Sequence, residues 1–222
     1  MQADQVAEIV EGVIRRRRTE KVLGSVGSSH PMSEEIARLN DPKVRRSIEA
    51  AGSAPFHFRR GVDGLAEPWR AYVLWHSAAQ RLSAILLGQL GAQNKLPQLA
   101  AACSALVLVT WLPEPVDAQE TDEASAARDV QVMRNEEHLA AASAMVQNFL
   151  ILLTAHNLGS YWSSGGRLRS PASLKQLGIS SDERLLAAVF IEYPETQDAA
   201  VSRKLGAHRD ARSLGWIREV RL

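Results

Sequence analysis

Cysteine is nearly missing from this chain: Cys103 is the only one in 222 residues. No intramolecular disulfide can form, and the chain suits a reducing compartment. Charge of one sign is missing too, because 26 Lys and Arg against 25 Asp and Glu leave a net charge of +1. No global field draws the chain to nucleic acid or to an anionic membrane, so any anion site must be local. The opening residues hold Asp4, Glu8, Glu11 and an arginine run and no apolar stretch of leader type, which points to a cytoplasmic protein. The longest uncharged run, from His138 to Gly166, is broken by Ser143, Gln147, Asn148, Thr154, His156 and Asn157. That is too polar for a membrane span and reads as a central helix of a core or of a subunit interface.

Several motifs are also lacking. There is no GxxxxGK[ST], no GxGxxG after a strand, no HExxH, no paired CxxC and no GxSxG. Their absence argues against P-loop, Rossmann, zincin, zinc-ribbon and elbow-type hydrolase chemistry. The six histidines are scattered without ligand spacing, so no metal site is expected.

What is present has the composition of an ordinary compact domain, 45% hydrophobic and 23% charged, and we expect a single domain over residues 1–222. Val6, Ile9, Val10, Val13 and Ile14 recur at helical spacing, giving an apolar stripe that runs into Arg15 to Arg18. Ser33 caps a second helix expected to break at Asn40 to Pro42 and resume to Ala51. Strands are expected at Arg70 to Trp75, Ala105 to Trp111, Tyr161 to Ser163 and Leu185 to Tyr193. Helices are expected at Ala78 to Gln93, through the long run ending near Asn157, and at Ala172 to Leu177. Mixed helices and strands without a repeat indicate an α/β or α+β fold.

Three local features carry chemistry. RRRRTEK, Arg15 to Lys21, is either a solvated charge run at a helix C-terminus or an anion clamp, in which guanidinium forks and the Thr19 hydroxyl bind a phosphate. LGSYWSSGG, Leu158 to Gly166, is either a helix stop and turn or a backbone that approaches a flat ligand closely. Ala54 and Pro55 precede Glu67, Pro68 and Trp69 at a strand start.

In this order the features resemble the FMN-dependent nitroreductase family. The resemblance runs through Arg17, Arg18 and Thr19, then Ala54 and Pro55, then Glu67, Pro68 and Trp69. It continues through Gln147 and Asn148, Leu158 to Gly165, and Tyr193 and Pro194. It implies an α+β fold, a mostly antiparallel sheet flanked by helices, assembled as an intertwined homodimer with each flavin between subunits. It also implies a flavoprotein oxidoreductase in which NADH or NADPH reduces FMN and a small-molecule acceptor, nitroaromatic or quinone, then replaces the donor. A binding or storage protein without turnover is the alternative.

The cofactor residues implied are Arg17, Arg18 and Thr19 for the phosphate and Lys21 for the flavin N1 and O2 edge. Trp162, Ser163, Ser164 and Gly165 would lie around the ring. His57 resembles a loop histidine that some smaller members place near the flavin, and Arg209 and Arg212 are rival last phosphate contacts. Departures from the family pattern are Thr19 for serine, Glu67 for glutamine, the longer HFRRGVDGLA loop and Glu192 for the glycine before the Tyr-Pro pair.

Overall fold

The computed structural model describes residues 2–27, 32–116, 122–197, 202–206 and 215–220. The chain begins with α1 (Ala3–Arg16), β1 (Glu20–Leu23), α2 (Glu34–Ala51), β2 (Trp69–Trp75), α3 (His76–Leu90), α4 (Lys95–Ala102) and β3 (Ala105–Trp111). It continues through α5 (Asp122–Ala155), β4 (Gly159–Ser163), α6 (Pro171–Gln176), β5 (Arg184–Glu192) and β6 (Ser202–Leu205). Four strands form one antiparallel sheet in the order β2-β3-β5-β4, and β1 pairs with β6 in a second, two-stranded sheet.

Alternation along the strands builds two cores. Ala105, Val107 and Val109 of β3, with Ala187, Val189 and Ile191 of β5, point to α2 and α5. Leu106 and Leu108, with Ala188 and Phe190, point to α3, α4 and α6. A sheet covered on both faces explains why β3 reads as an unbroken apolar run although its neighbours are antiparallel.

The stretch Arg128–Ala155 is long and apolar enough to cross a membrane. Its apolar residues instead fill the chain's own core: Ala142, Met145, Val146, Phe149, Leu150 and Leu153 are at most 1% exposed. The uncharged run is therefore not the exposed apolar surface of this chain. That surface lies on α1, which has no buried residue and whose Val6, Ile9, Val10 and Ile14 are 40, 56, 47 and 49% exposed.

The expected break in α2 does not occur, for Pro42 sits inside a continuous helix. Proline removes one backbone donor and costs roughly 3 kcal/mol in a helix interior, so something must offset it. Val44, Ser47 and Ala51 bury one face of α2. Asp41 accepts the Tyr193 hydroxyl at 2.6 Å, and Asn40 donates to Ile36 O at 3.1 Å and to Glu195 at 2.8 Å. These contacts also give the Tyr193–Pro194 pair its place, clamping the end of β5 to α2. Burial and the Asp41 carboxylate push the Tyr193 hydroxyl pKa up.

Candidate functional site

The site starts where α1 ends. Arg17 has ψ 123 at the C-cap, so the helix stops and the chain becomes extended into β1. Side-chain period changes there from 3.6 to 2, and the arginine run divides between two faces. Arg17 Nη1 lies 3.5 Å from Thr19 Oγ1, and Lys21 follows on the same face. Arg18 turns the other way and donates to Glu20 at 3.2 Å. Arg16 donates to Thr154 O at the end of α5, and Arg15 is ion-paired to Glu11 on the α1 surface.

On the Glu20 face every charge has an opposite. Arg203 of β6 donates to the two oxygens of Glu192 at 2.5 and 2.8 Å and lies 3.5 Å from Glu20. Glu192, last residue of β5, is only 5% exposed. The resulting row Glu192, Arg203, Glu20, Arg18 holds Arg203 firmly protonated. Gly159 packs closely beside it, since a Cβ there would come 3.2 Å from Glu20 Oε2. A cavity of about 340 Å³ opens on this side, lined by Arg16, Arg18, Glu20, Asn157, Ser160 and Gln197 among others.

On the Lys21 face lysines stand against one another. Lys21 stands directly opposite Lys204 across the β1–β6 ladder, and Lys95 begins α4, which packs on β1 and accepts the Gly24 amide at Gln98 O. Lys21 Nζ lies 5.4 Å over the Tyr161 ring, itself stacked on Phe190. Partial burial, then Lys95 and Lys204, hold the Lys21 pKa below the ordinary lysine value. Among the described residues Lys21, Lys95 and Lys204 make no ion pair. Tyr161, Lys95 and Lys204 carry no sequence signal of their own; SRKL is a four-residue strand whose pairing with EKVL is visible only in three dimensions.

The remaining expected residues fall in different places. Ser163 shares the Tyr161 face of β4 by alternation, whereas Trp162 packs against the core on the α2 and α5 side. Gly165 has φ +91, and a Cβ there would lie 2.5 Å from Leu185 Cδ2. Backbone conformation and packing together favour that glycine, and its amide already donates to Ser163 Oγ at 3.2 Å. Ser164 is exposed beside it.

His57 is exposed in the loop after α2, next to Phe58, which meets His138 and Arg134 of α5. His138 and Thr154 are about 24 Å apart along the helix axis at 1.5 Å per residue, so within one chain His57 and the Arg17 region lie toward different ends of α5. Arg209 and Arg212 lie outside the described residues. The described part of β6 leads to Gly206, whose amide donates to Thr19 O at 3.1 Å.

A four-stranded antiparallel sheet between two helical layers, with a cationic strand pair at its β4 edge, defines an α+β protein. The nitroreductase family pattern matches residues 37–191, and the chain belongs to that family. Arg17 to Lys21 and β6 lie outside the matched stretch.

Solved structures agree in fold. The chain resembles the nitroreductase-like family protein from Bacillus cereus at TM-score 0.57 and 17% identity, covering 92% of this chain and 95% of that one. It resembles a nitroreductase with bound FMN from Bacteroides fragilis at 0.56 and 14%, covering 96 and 98%. CinD from Lactococcus lactis, in complex with nicotinic acid, follows at 0.55 and 15%, covering 93 and 98%. No curated protein sequence matches.

Proposed function

We propose that the chain binds FMN and works as a flavin oxidoreductase, taking two electrons and a proton from NADH or NADPH and delivering them to a nitroaromatic or quinone-type acceptor in a second step. The observation that carries this reading is the cationic turn into β1, where Arg17 lies beside the Thr19 hydroxyl and Lys21 stands directly opposite Lys204, on a chain of the nitroreductase family. A phosphomonoester with close to two negative charges suits such a face. The FMN bound to the relative from Bacteroides fragilis supports the choice of anion.

Bound FMN would supply the two-electron redox chemistry. The chain's part is positioning and electrostatics. Arg17 and the Thr19 hydroxyl would hold the phosphate, and Lys21 would stabilise negative charge at the N1 and O2 edge. Arg18, engaged by Glu20, would act on the phosphate indirectly, by keeping the strand's other face neutral.

A homodimer completes the reading. The apolar stripe of α1, with Trp216, Ile217 and Val220 at 75, 54 and 84% exposed, is surface that a second copy would cover. The separation of His57 from Arg17 supports a flavin site made from two chains, each supplying one end. The lone buried thiol supports a cytoplasmic location.

The test is an FMN titration of flavin-free protein. Arg17→Ala should weaken binding roughly ten- to a hundredfold, the equivalent of about 1.5 to 3 kcal/mol for a charge-assisted hydrogen bond. Arg15→Ala, on the solvated Glu11 pair, should bind like the parent. NADPH or NADH should bleach the yellow protein and a quinone should recolour it. A chain that takes up no FMN would refute the reading, and a yellow chain that neither donor bleaches would be a binding protein only.

A further inference from the structure

We propose that Glu192 is a positioning residue for the cofactor: by capturing Arg203 at two points it locks β6 in one register on β1, and that register keeps Gly206, not Leu205, beside the Thr19 hydroxyl. The proposal rests on the flavin reading above and gives a role to an acid that stands where the family pattern has glycine.

Little else specifies how β1 and β6 pair. The strands come from opposite ends of the chain, so no tight turn sets their register, and each is four residues long. They form a sheet of their own, outside the ladder of the central one. Val22 is the one buried residue of β1 and β6 has none, so burial of an apolar face discriminates weakly between registers. The two cations of SRKL are adjacent. A slip of one residue would set Lys204 opposite Glu20, Arg203 opposite Lys21 and Leu205 opposite Thr19, and the Glu20 face would still receive a cation.

A slipped lysine could not reproduce the contact with Glu192. Arg203 donates through Nη1 and Nη2 to both carboxylate oxygens at 2.5 and 2.8 Å, a match of planar fork to carboxylate that a single ammonium does not make. Glu192 is also a firm reference point. Its strand is paired on both sides, to β3 and β4, and the next residue, Tyr193, donates its amide to Ser104 Oγ and its hydroxyl to Asp41.

The register decides what stands at the phosphate-binding turn. The Gly206 amide donates to Thr19 O, and a Cβ at 206 would come 3.1 Å from Thr19 Cβ. Glycine there leaves room beside the Thr19 hydroxyl for a phosphate oxygen. In the slipped pairing the Leu205 side chain would take that room.

The register can be read without flavin. Leu23 and Ser202 are directly opposed at the far end of the ladder, a spacing that suits a disulfide, and Cys103 is buried. In the Leu23→Cys, Ser202→Cys protein, mild oxidation should close the cross-link. Adding Glu192→Gln or Arg203→Lys should lower the yield about twofold or more, because two registers then share the population. Arg203→Lys keeps a cation against both acids and removes only the fork, so it remains a test should Glu192→Gln fail to fold. With the thiols reduced, each variant should bind FMN about tenfold more weakly, one charge-assisted contact's worth. Closing the disulfide should return both to the affinity of the cross-linked parent, which an effect of the Glu192 charge on the phosphate would not do.

Undiminished cross-linking in both variants, or weakened FMN binding that the closed disulfide does not restore, would overturn the proposal and leave the flavin reading standing. Failure of the parent to take up FMN would instead refute that reading and the cofactor role of Glu192 with it.

Discussion

Glu192 and Arg203 form a two-point ion pair, at 2.5 and 2.8 Å, that ties the end of the central sheet to the β6 strand. Glu192 is buried, while the Arg203 side chain keeps 28% of its surface exposed. Removing the acid leaves a half-buried guanidinium whose remaining acidic neighbour among the described residues is Glu20. Glu192→Ala should cost about 1 to 3 kcal/mol, below the range for a fully buried pair because solvent reaches the arginine. The double variant Glu192→Leu with Arg203→Met should recover much of that loss. Urea denaturation of the three proteins checks it; a double variant no better than the single one would show that the pair is not the unit that matters.

Gly165 and Gly166 are adjacent, both left-handed in φ, and should respond differently. Gly165→Ala combines an unfavourable backbone with a Cβ 2.5 Å from Leu185 Cδ2, and a cost of roughly 2 to 4 kcal/mol is expected. Gly166→Ala, with φ +50 and open space around it, should cost only about 1 kcal/mol. Equal midpoints in guanidinium for the two variants would contradict the packing account.

Cys103 is buried, its thiol donates to Ala100 O at 3.4 Å, and burial pushes its pKa up to about 12. In native protein it should not react with a thiol reagent at pH 8, and it should react once the chain is unfolded. Because the folded value lies above the unfolded one, the stability it contributes is complete below about pH 9 and is lost as pH rises toward 12. Cys103→Ser should remove that component, so the parent's advantage over the variant should shrink across this window. Flavin reduction should survive the substitution.

Lys21 gives a pH prediction for binding. Its proton leaves below the ordinary lysine value of 10.5, owing to partial burial and then to Lys95 and Lys204. FMN affinity should therefore begin to fall on the acid side of 10.5 in the parent. Lys21→Arg should hold its affinity through the same range, and Lys21→Ala should be weak throughout, with no such step. A parent curve that follows Lys21→Ala would remove this lysine from the site.

The exposed α1 stripe predicts a dimer. Sedimentation at low micromolar concentration should give twice the 24.3 kDa chain mass, and Val10→Glu with Ile14→Glu should shift it toward one chain. A folded single chain in the parent would refute it.

Legibility in the sequence followed the range of the forces involved. ALVLVTW and LLAAVFIEY, apolar runs closed by prolines, are strands at the positions expected, and α5 ends at Ala155, with Asn157 in the left-handed conformation just past it and Gly159 already opening β4. The four-residue strands EKVL and SRKL were not legible, since pairing residue 20 with residue 205 leaves no local trace. α4 was missed for its shortness, and the α2 break was wrongly expected because Tyr193 and Glu195 lie some 150 positions from the residues they anchor. At the site, RRRRTEK identified the cationic turn but not its division. That required knowing that the helix stops at Arg17 rather than one residue later.

The division makes β1 a partition one peptide thick, with a balanced charge lattice behind it and the opposed Lys21 and Lys204 in front. Its two electrical characters are assigned by parity alone. One residue inserted between Arg18 and Thr19 would keep every side chain and reverse Arg17 and Arg18 relative to the strand, presenting Arg18 beside Thr19 and turning Arg17 toward Glu20. Two inserted residues would restore the order. Loop-length variation at this turn should therefore be tolerated in even steps and harmful in odd ones, a rule of counting rather than of composition.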